Sequence, residues 1–163
     1  MFNLFKKKTH EFTVTAPLTG KLINLTEVPD PVFSQKLMGD GFAIIPDSKT
    51  TKIYAPVSAK IVSLPESKHA VGLVTDDQDE VLLHIGIDTV NLKGQGFTAL
   101  VNEGDSVTQG QAVIELDREV LESKQANLTT MVIFTKLSSD HQQWQLAEEY
   151  GSKVKSNDLL VTQ

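Results

Sequence analysis

The chain has no cysteine, no apolar run of 18 residues, and fewer basic than acidic side chains, 15 against 21 over 163 residues. Without cysteine there is no disulfide, no thiol nucleophile, no iron–sulfur cluster and no cysteine-ligated zinc, and the cytosol is the natural compartment. Without a long apolar run the body of the chain is not expected in a bilayer. The net charge of -6 speaks against nucleic acid, whose phosphates call for a clustered basic face, and favours basic protein partners. With 40% hydrophobic and 22% charged residues, the length suits one soluble domain that needs neither metal nor disulfide to fold.

Positive charge is segregated in one place. Met1, Phe2, Leu4 and Phe5 precede Lys6, Lys7 and Lys8, too short a stretch to span a membrane and in the wrong order for a signal peptide. The simpler reading is a solvated terminus. The sharper one is a weak amphipathic contact of residues 1–8 with anionic lipid, at the inner face of the membrane. Residues 1–10 are therefore read as a flexible N-terminal segment and 11–163 as a single domain.

From Glu11 onward, short apolar runs alternate with turn residues. Strands are expected at Glu11–Thr15, Lys21–Leu25, Phe42–Ile45, Thr51–Tyr54, Lys60–Ser63, Val71–Thr75, Val81–Ile85, Phe97–Val101, Ala112–Leu116, Met131–Thr135 and Leu159–Val161. Regular Pro and Gly punctuation between them predicts an all-β, antiparallel sandwich or barrel. Helix is expected only as a turn after Asp117 and as a short helix from His141 to Tyr150, capped by Asp140 with Gln143 and ended by Gly151.

The chain repeats itself. Ala16-Pro17-Leu18-Thr19-Gly20-Lys21-Leu22-Ile23-Asn24-Leu25 aligns with Ala55-Pro56-Val57-Ser58-Ala59-Lys60-Ile61-Val62-Ser63-Leu64, 39 positions later. Two copies are too few for a repeat array and read as duplicated hairpin units within one core. The stretch Glu103 to Glu115, with paired tight turns at Gly104-Asp105 and Gly110, resembles the turns of biotinyl and lipoyl carrier domains. Such a carrier needs a modifiable lysine at the following hairpin tip. The register leaves Arg118 there, and a guanidinium, always protonated, cannot be acylated by that chemistry. Lys124 comes six residues too late.

Four histidines remain. His10 and His141 lie in polar surroundings and read as surface residues. His69 opens one strand and His84 sits within the next, where an unpartnered imidazole would cost about 1–3 kcal/mol. A hairpin centred on Asp76–Glu80 brings 69 near 86 and 84 near 71, gathering both rings. A paired imidazole site suits zinc or phosphoryl transfer. Zinc needs a third ligand, for which Asp88 is available, and an open fourth position; zinc peptidases of related β architecture also carry a His-x-His pair, which is missing here. Phosphoryl transfer needs only a neutral ring nitrogen in an accessible place.

The segment His84-Ile85-Gly86-Ile87-Asp88-Thr89-Val90-Asn91-Leu92-Lys93-Gly94-Gln95-Gly96-Phe97 resembles the phosphorylation-site signature of the glucose-type enzyme IIA of the bacterial phosphoenolpyruvate:sugar phosphotransferase system. Val28-Pro29-Asp30-Pro31-Val32-Phe33, Gly39-Asp40-Gly41-Phe42-Ala43-Ile44 and Ser67-Lys68-His69-Ala70 match further motifs in the same order. The resemblance runs from about Thr15 to the C-terminus, with its motif core at about 31–135, and implies a duplicated β-sandwich.

The resemblance implies that His84 takes a phosphoryl group at Nε2 from phospho-HPr and passes it to a cysteine of enzyme IIB, which serves the IIC sugar permease. It makes His69 the second active-site histidine, holding the phosphoryl oxygens, with Ser67 beside it where the family commonly has threonine. The Gly86 carbonyl would fix the tautomer of His84. Val32, Phe33, Leu37, Met38, Val71, Leu82 and Val90 correspond to an apolar docking patch, flanked by the carboxylates of Asp30 and Asp88. Pro65 and Val71 depart from the phenylalanines frequent in the family. No cofactor or metal is implied, and some family members also regulate other permeases or enzymes.

Overall fold

The computed structural model describes residues 11–163. The N-terminal segment read as a lipid contact, with His10, lies outside the described residues.

Thirteen strands run through this part: β1 (Thr13–Thr15), β2 (Gly20–Asn24), β3 (Asp40–Pro46), β4 (Lys52–Tyr54), β5 (Ala59–Ser63), β6 (Ala70–Val74), β7 (Glu80–Ile87), β8 (Phe97–Ala99), β9 (Ser106–Val107), β10 (Ala112–Leu116), β11 (Asn127–Lys136), β12 (Lys153–Val154) and β13 (Leu159–Thr162). Eight form one sheet in the order β12-β2-β3-β11-β7-β6-β5-β9, three form β4-β10-β8, and β1 pairs with β13. Every pairing is antiparallel. Helix is confined to α1 (Pro31–Ser34), α2 (Arg118–Ser123) and short 3-10 turns. The all-β expectation holds.

Period-two alternation decides what β7 presents to each side. Val81, Leu83 and Ile85 face the main core with Val71, Leu73, Val132 and Phe134. Leu82 and His84 face the other way, opposite Ile133 and Met131 of β11. That outer face is not left to solvent. Ile23, Leu25, Val28, Phe33, Ala43, Met131 and Ile133 form a second buried cluster on it, roofed by the 3-10 turn Leu25–Glu27 and by α1. With both faces covered, β11 is buried from Leu128 to Phe134, which is why Met131–Phe134 reads as an unbroken apolar run and not as an alternation.

The repeat seen in the sequence is a symmetry of the fold. β2 begins at Gly20 and β5 at Ala59, and the copies exchange bonds: the Thr15 N–H donates to the Pro56 carbonyl and the Tyr54 N–H to the Pro17 carbonyl. Each copy is also paired to a turn unit of its own. Ile61 exchanges bonds with Gly104 and Asp105, while Leu22 exchanges them with Gly151 and Ser152. Gly104–Ile114 therefore has a second copy at Gly151–Val161, supplying β9 and β12, which the sequence reading missed. Gly110 and Asn157 are equivalent left-handed positions, φ 89° and 71°.

Two further expectations are corrected. The helix from His141 to Tyr150 does not form. Asp140 lies inside a 3-10 turn, Ser139–His141. The chain then leaves the helical path because Leu146 bridges Val161 and the Ala147 N–H donates to the Leu160 carbonyl. His141 is not a surface residue. It is buried, with Nδ1 2.7 Å from Asp79 Oδ2 and its ring stacked on Phe12 at 4.7 Å.

Candidate functional site

The β6–β7 hairpin forms around the expected acidic turn, in a slightly different register. Ala70 pairs with His84 and Val71 with Leu83, because the turn closes through Gln78, held left-handed at φ 68°. The Ile85 N–H donates to the His69 carbonyl at 2.7 Å, tying the two histidine backbones together. The rings meet edge to face, centroids 5.1 Å apart and planes at 82°.

Each ring is oriented by one further bond. His84 Nδ1 lies 3.0 Å from the Gly86 carbonyl. A carbonyl only accepts, so Nδ1 carries the hydrogen and Nε2 of the neutral ring keeps its lone pair. Reaching back two residues requires Gly86 at φ +88°, where a Cβ would lie 2.3 Å from Thr89 Cγ2 and 2.7 Å from the Asn127 carbonyl oxygen. The buried Thr89 hydroxyl donates to the Ile85 carbonyl and pins the 3-10 turn Thr89–Leu92 beneath the strand end. Thr89 was not singled out from the sequence, although a hydroxyl four residues after a strand carbonyl is a signal that could have drawn notice. On the other ring, Ser67 Oγ lies 2.6 Å from His69 Nδ1.

The ring of Phe33 lies 4.8 Å from that of His84, tilted at 53°, and is buried. It is the floor of the site and not part of an exposed rim. Burial, followed by the neighbouring His69, pushes the pKa of His84 down to about 4, against opposing effects of the Gly86 carbonyl, Asp30 and Asp88. Burial also lowers that of His69. Both imidazoles are neutral near pH 7.

Around the pair, Val32, Leu37, Met38 and Val90 are exposed, at 41%, 69%, 42% and 51%. They come from α1, from the loop after it and from the Thr89–Leu92 turn. Leu82 is half-buried against the second cluster. Val71 is fully buried in the main core, so its assignment to the docking patch is wrong: its neighbour Ala70, not Val71, shares the outer face with His84. Asp30 caps α1, its Oδ1 accepting from the Val32 N–H at 3.0 Å. Asp88 is left-handed at φ 56° and makes no capping bond. Among the described residues, no third histidine or carboxylate joins the two rings in a group able to hold a metal; Asp77, Asp79 and His141 form such a group instead.

A duplicated antiparallel β fold presenting two neutral imidazoles, one with its tautomer fixed, has the parts that a protein of the histidine phosphocarrier class requires. The comparisons specify it. Residues 12–140 match the family described as phosphoenolpyruvate-dependent sugar phosphotransferase system, EIIA 1, and the chain belongs to that family, the phosphoryl-relay components of sugar uptake. It is 44% identical over 143 residues to the glucose-specific EIIA component of Halalkalibacterium halodurans, covering 84% of this chain and 82% of that one. It is 42% identical to part of the glucosamine-specific EIICBA component of Bacillus subtilis, covering 82% of this chain and 21% of the longer protein. The solved glucose permease IIA of Mycoplasma capricolum superposes with a TM-score of 0.82 at 35% identity, over 94% of this chain and 96% of that one.

Proposed function

We propose that His84 is the phosphoryl-carrying residue, accepting the group from phospho-HPr and giving it to a cysteine of a cytoplasmic enzyme IIB, which serves a IIC permease. The observation that carries this reading is the bond from His84 Nδ1 to the Gly86 carbonyl, which leaves Nε2 of the neutral ring unprotonated, with its lone pair available to phosphorus. As the P–N bond to the donor imidazole breaks, the new P–Nε2 bond forms, and Nδ1–H keeps its bond to Gly86 throughout. In the onward step a IIB thiolate attacks phosphorus and the electron pair returns to Nε2.

His69 steadies the transferred group. A Ser67 hydroxyl donating to His69 Nδ1 leaves the hydrogen on Nε2, the atom free to donate to a phosphoryl oxygen. The group adds about -1.5 to -2 charges to an already acidic protein, so a directed donor matters. The exposed Val32, Leu37, Met38 and Val90, with the half-buried Leu82, are the surface on which HPr and IIB dock in turn, excluding water while donor, phosphorus and acceptor align. Asp30 and Asp88 flank it for basic partner residues. The relatives named for glucose and for glucosamine leave the sugar to the membrane component.

The test is incubation with phosphoenolpyruvate, enzyme I and HPr, following acid-labile phosphate. His84→Gln is expected to abolish labelling; normal labelling would refute the assignment. His69→Gln is expected to keep labelling and lose transfer to IIB, and unimpaired sugar phosphorylation would refute its role.

A further inference from the structure

Beyond the histidine face, a cleft of about 550 Å³ opens between the start of β3 and the segment before β12, lined by Asp40, Trp144, Gln145, Glu148, Glu149 and Tyr150 among others. Its frame is held by the body of the protein. Trp144 packs edge-on against Phe134 at 4.8 Å, Ala147 is bonded to Leu160, and the Gly151 N–H donates to the Leu22 carbonyl. Its walls offer two amphipathic rings and three carboxylates, and no basic side chain lines it. Glu148 and Glu149 make no ion pair among the described residues, and Lys36 already reaches the rim, its Nζ 3.2 Å from Asp40 Oδ1. Burial raises the phenol pKa of Tyr150, Asp40 adds to that effect, and Lys36 opposes it.

We propose that this cleft receives a lysine- or arginine-bearing segment of the protein that docks over His84. The occupant follows from charge and shape: carboxylates take the cationic head, and the faces of Trp144 and Tyr150 take the aliphatic stem and the cation. It follows also from position, since Asp40 opens β3 directly after the loop that carries the exposed Leu37 and Met38, and Lys36 beside Leu37 reaches its carboxylate. The proposal rests on the reading of the His84 face as the docking surface. The cleft lengthens that contact sideways and adds nothing to the transfer chemistry.

The chain has one tryptophan, so protein labelled with 5-fluorotryptophan gives a single 19F signal from the cleft. That signal is expected to shift on adding HPr or enzyme IIB. Neutralising the wall with Glu148→Gln and Glu149→Gln together is expected to weaken at least one of the two complexes about three- to tenfold at about 20 mM salt, the difference vanishing near 0.5 M. Unchanged dissociation constants for both partners at low salt, or a loss equal at both salts, would overturn the proposal. So would a 19F signal that moves on concentrating the protein alone and not with either partner, which assigns the cleft to a second copy. Val90→Glu separates the two readings: it should weaken both complexes with the cleft intact, and if it does not, the docking face itself is wrong.

Discussion

In the proposed relay His84 is the nucleophile and must be neutral where it works; burial against Phe33 and the adjoining His69 keep it so. With its pKa at about 4, proton competition for Nε2 begins well below the ordinary histidine range. Labelling by phospho-HPr, followed from pH 8 downward and corrected for the donor's own titration, is expected to stay level through pH 6.5 and to fall only as pH approaches 4. A midpoint near 6.5, or a His84 ring resonance titrating there by NMR, would refute the burial argument. The sign for stability follows from the same depression. Folded His84 refuses the proton that the unfolded chain accepts, so its contribution is present above pH 6.5 and is lost as pH falls from there to about 4. The two histidines were legible in the sequence, because imidazoles in apolar strands at the ends of one hairpin are unusual. The places of Phe33 and Val71 were not. Both are apolar residues beside the site, and only the pleat and the second buried cluster decide that Phe33 is the floor beneath His84 and Val71 faces the main core.

At the scale of elements, the segment after β11 shows how tertiary bonding overrides a local helix signal. Asp140–Gly151 carries a capping pattern and a terminating glycine, yet His141 turns inward, where Asp79 accepts from its Nδ1 and from the Ser138 N–H. Asp79 is itself 1% exposed and sits in the turn that sets the β6–β7 register. Its carboxylate thus ties the site hairpin to the C-terminal segment. Asp79→Asn keeps the shape but halves the carboxylate's capacity to accept, and is expected to cost about 1–3 kcal/mol, read by urea unfolding. No change would show that the pair is ornamental to the fold. The eleven expected strands were legible through alternation and turn residues. β9 and β12 were not, being two residues each, nor was the second turn unit, whose left-handed position holds Asn157 in place of the glycine at Gly110.

For the whole molecule, a net charge of -6 becomes a matter of encounter rate. In the proposed relay, partners approach a face flanked by Asp30 and Asp88, and complementary charge chiefly raises the rate at which they meet. These two carboxylates can be neutralised with little cost to the fold. Asparagine is as good an N-cap as aspartate, so Asp30→Asn retains the bond to the Val32 N–H, and asparagine tolerates the left-handed backbone of Asp88. The double variant is therefore expected to label more slowly with subsaturating phospho-HPr, by about three- to tenfold at low salt, with the difference closing near 0.5 M as the Debye length contracts to a few ångströms. At saturating donor its labelling should match the parent, because neither carboxylate touches the transferred group in the proposed relay. A deficit that persists at saturation and at high salt would place Asp30 or Asp88 in the transfer step itself and not in the approach to it.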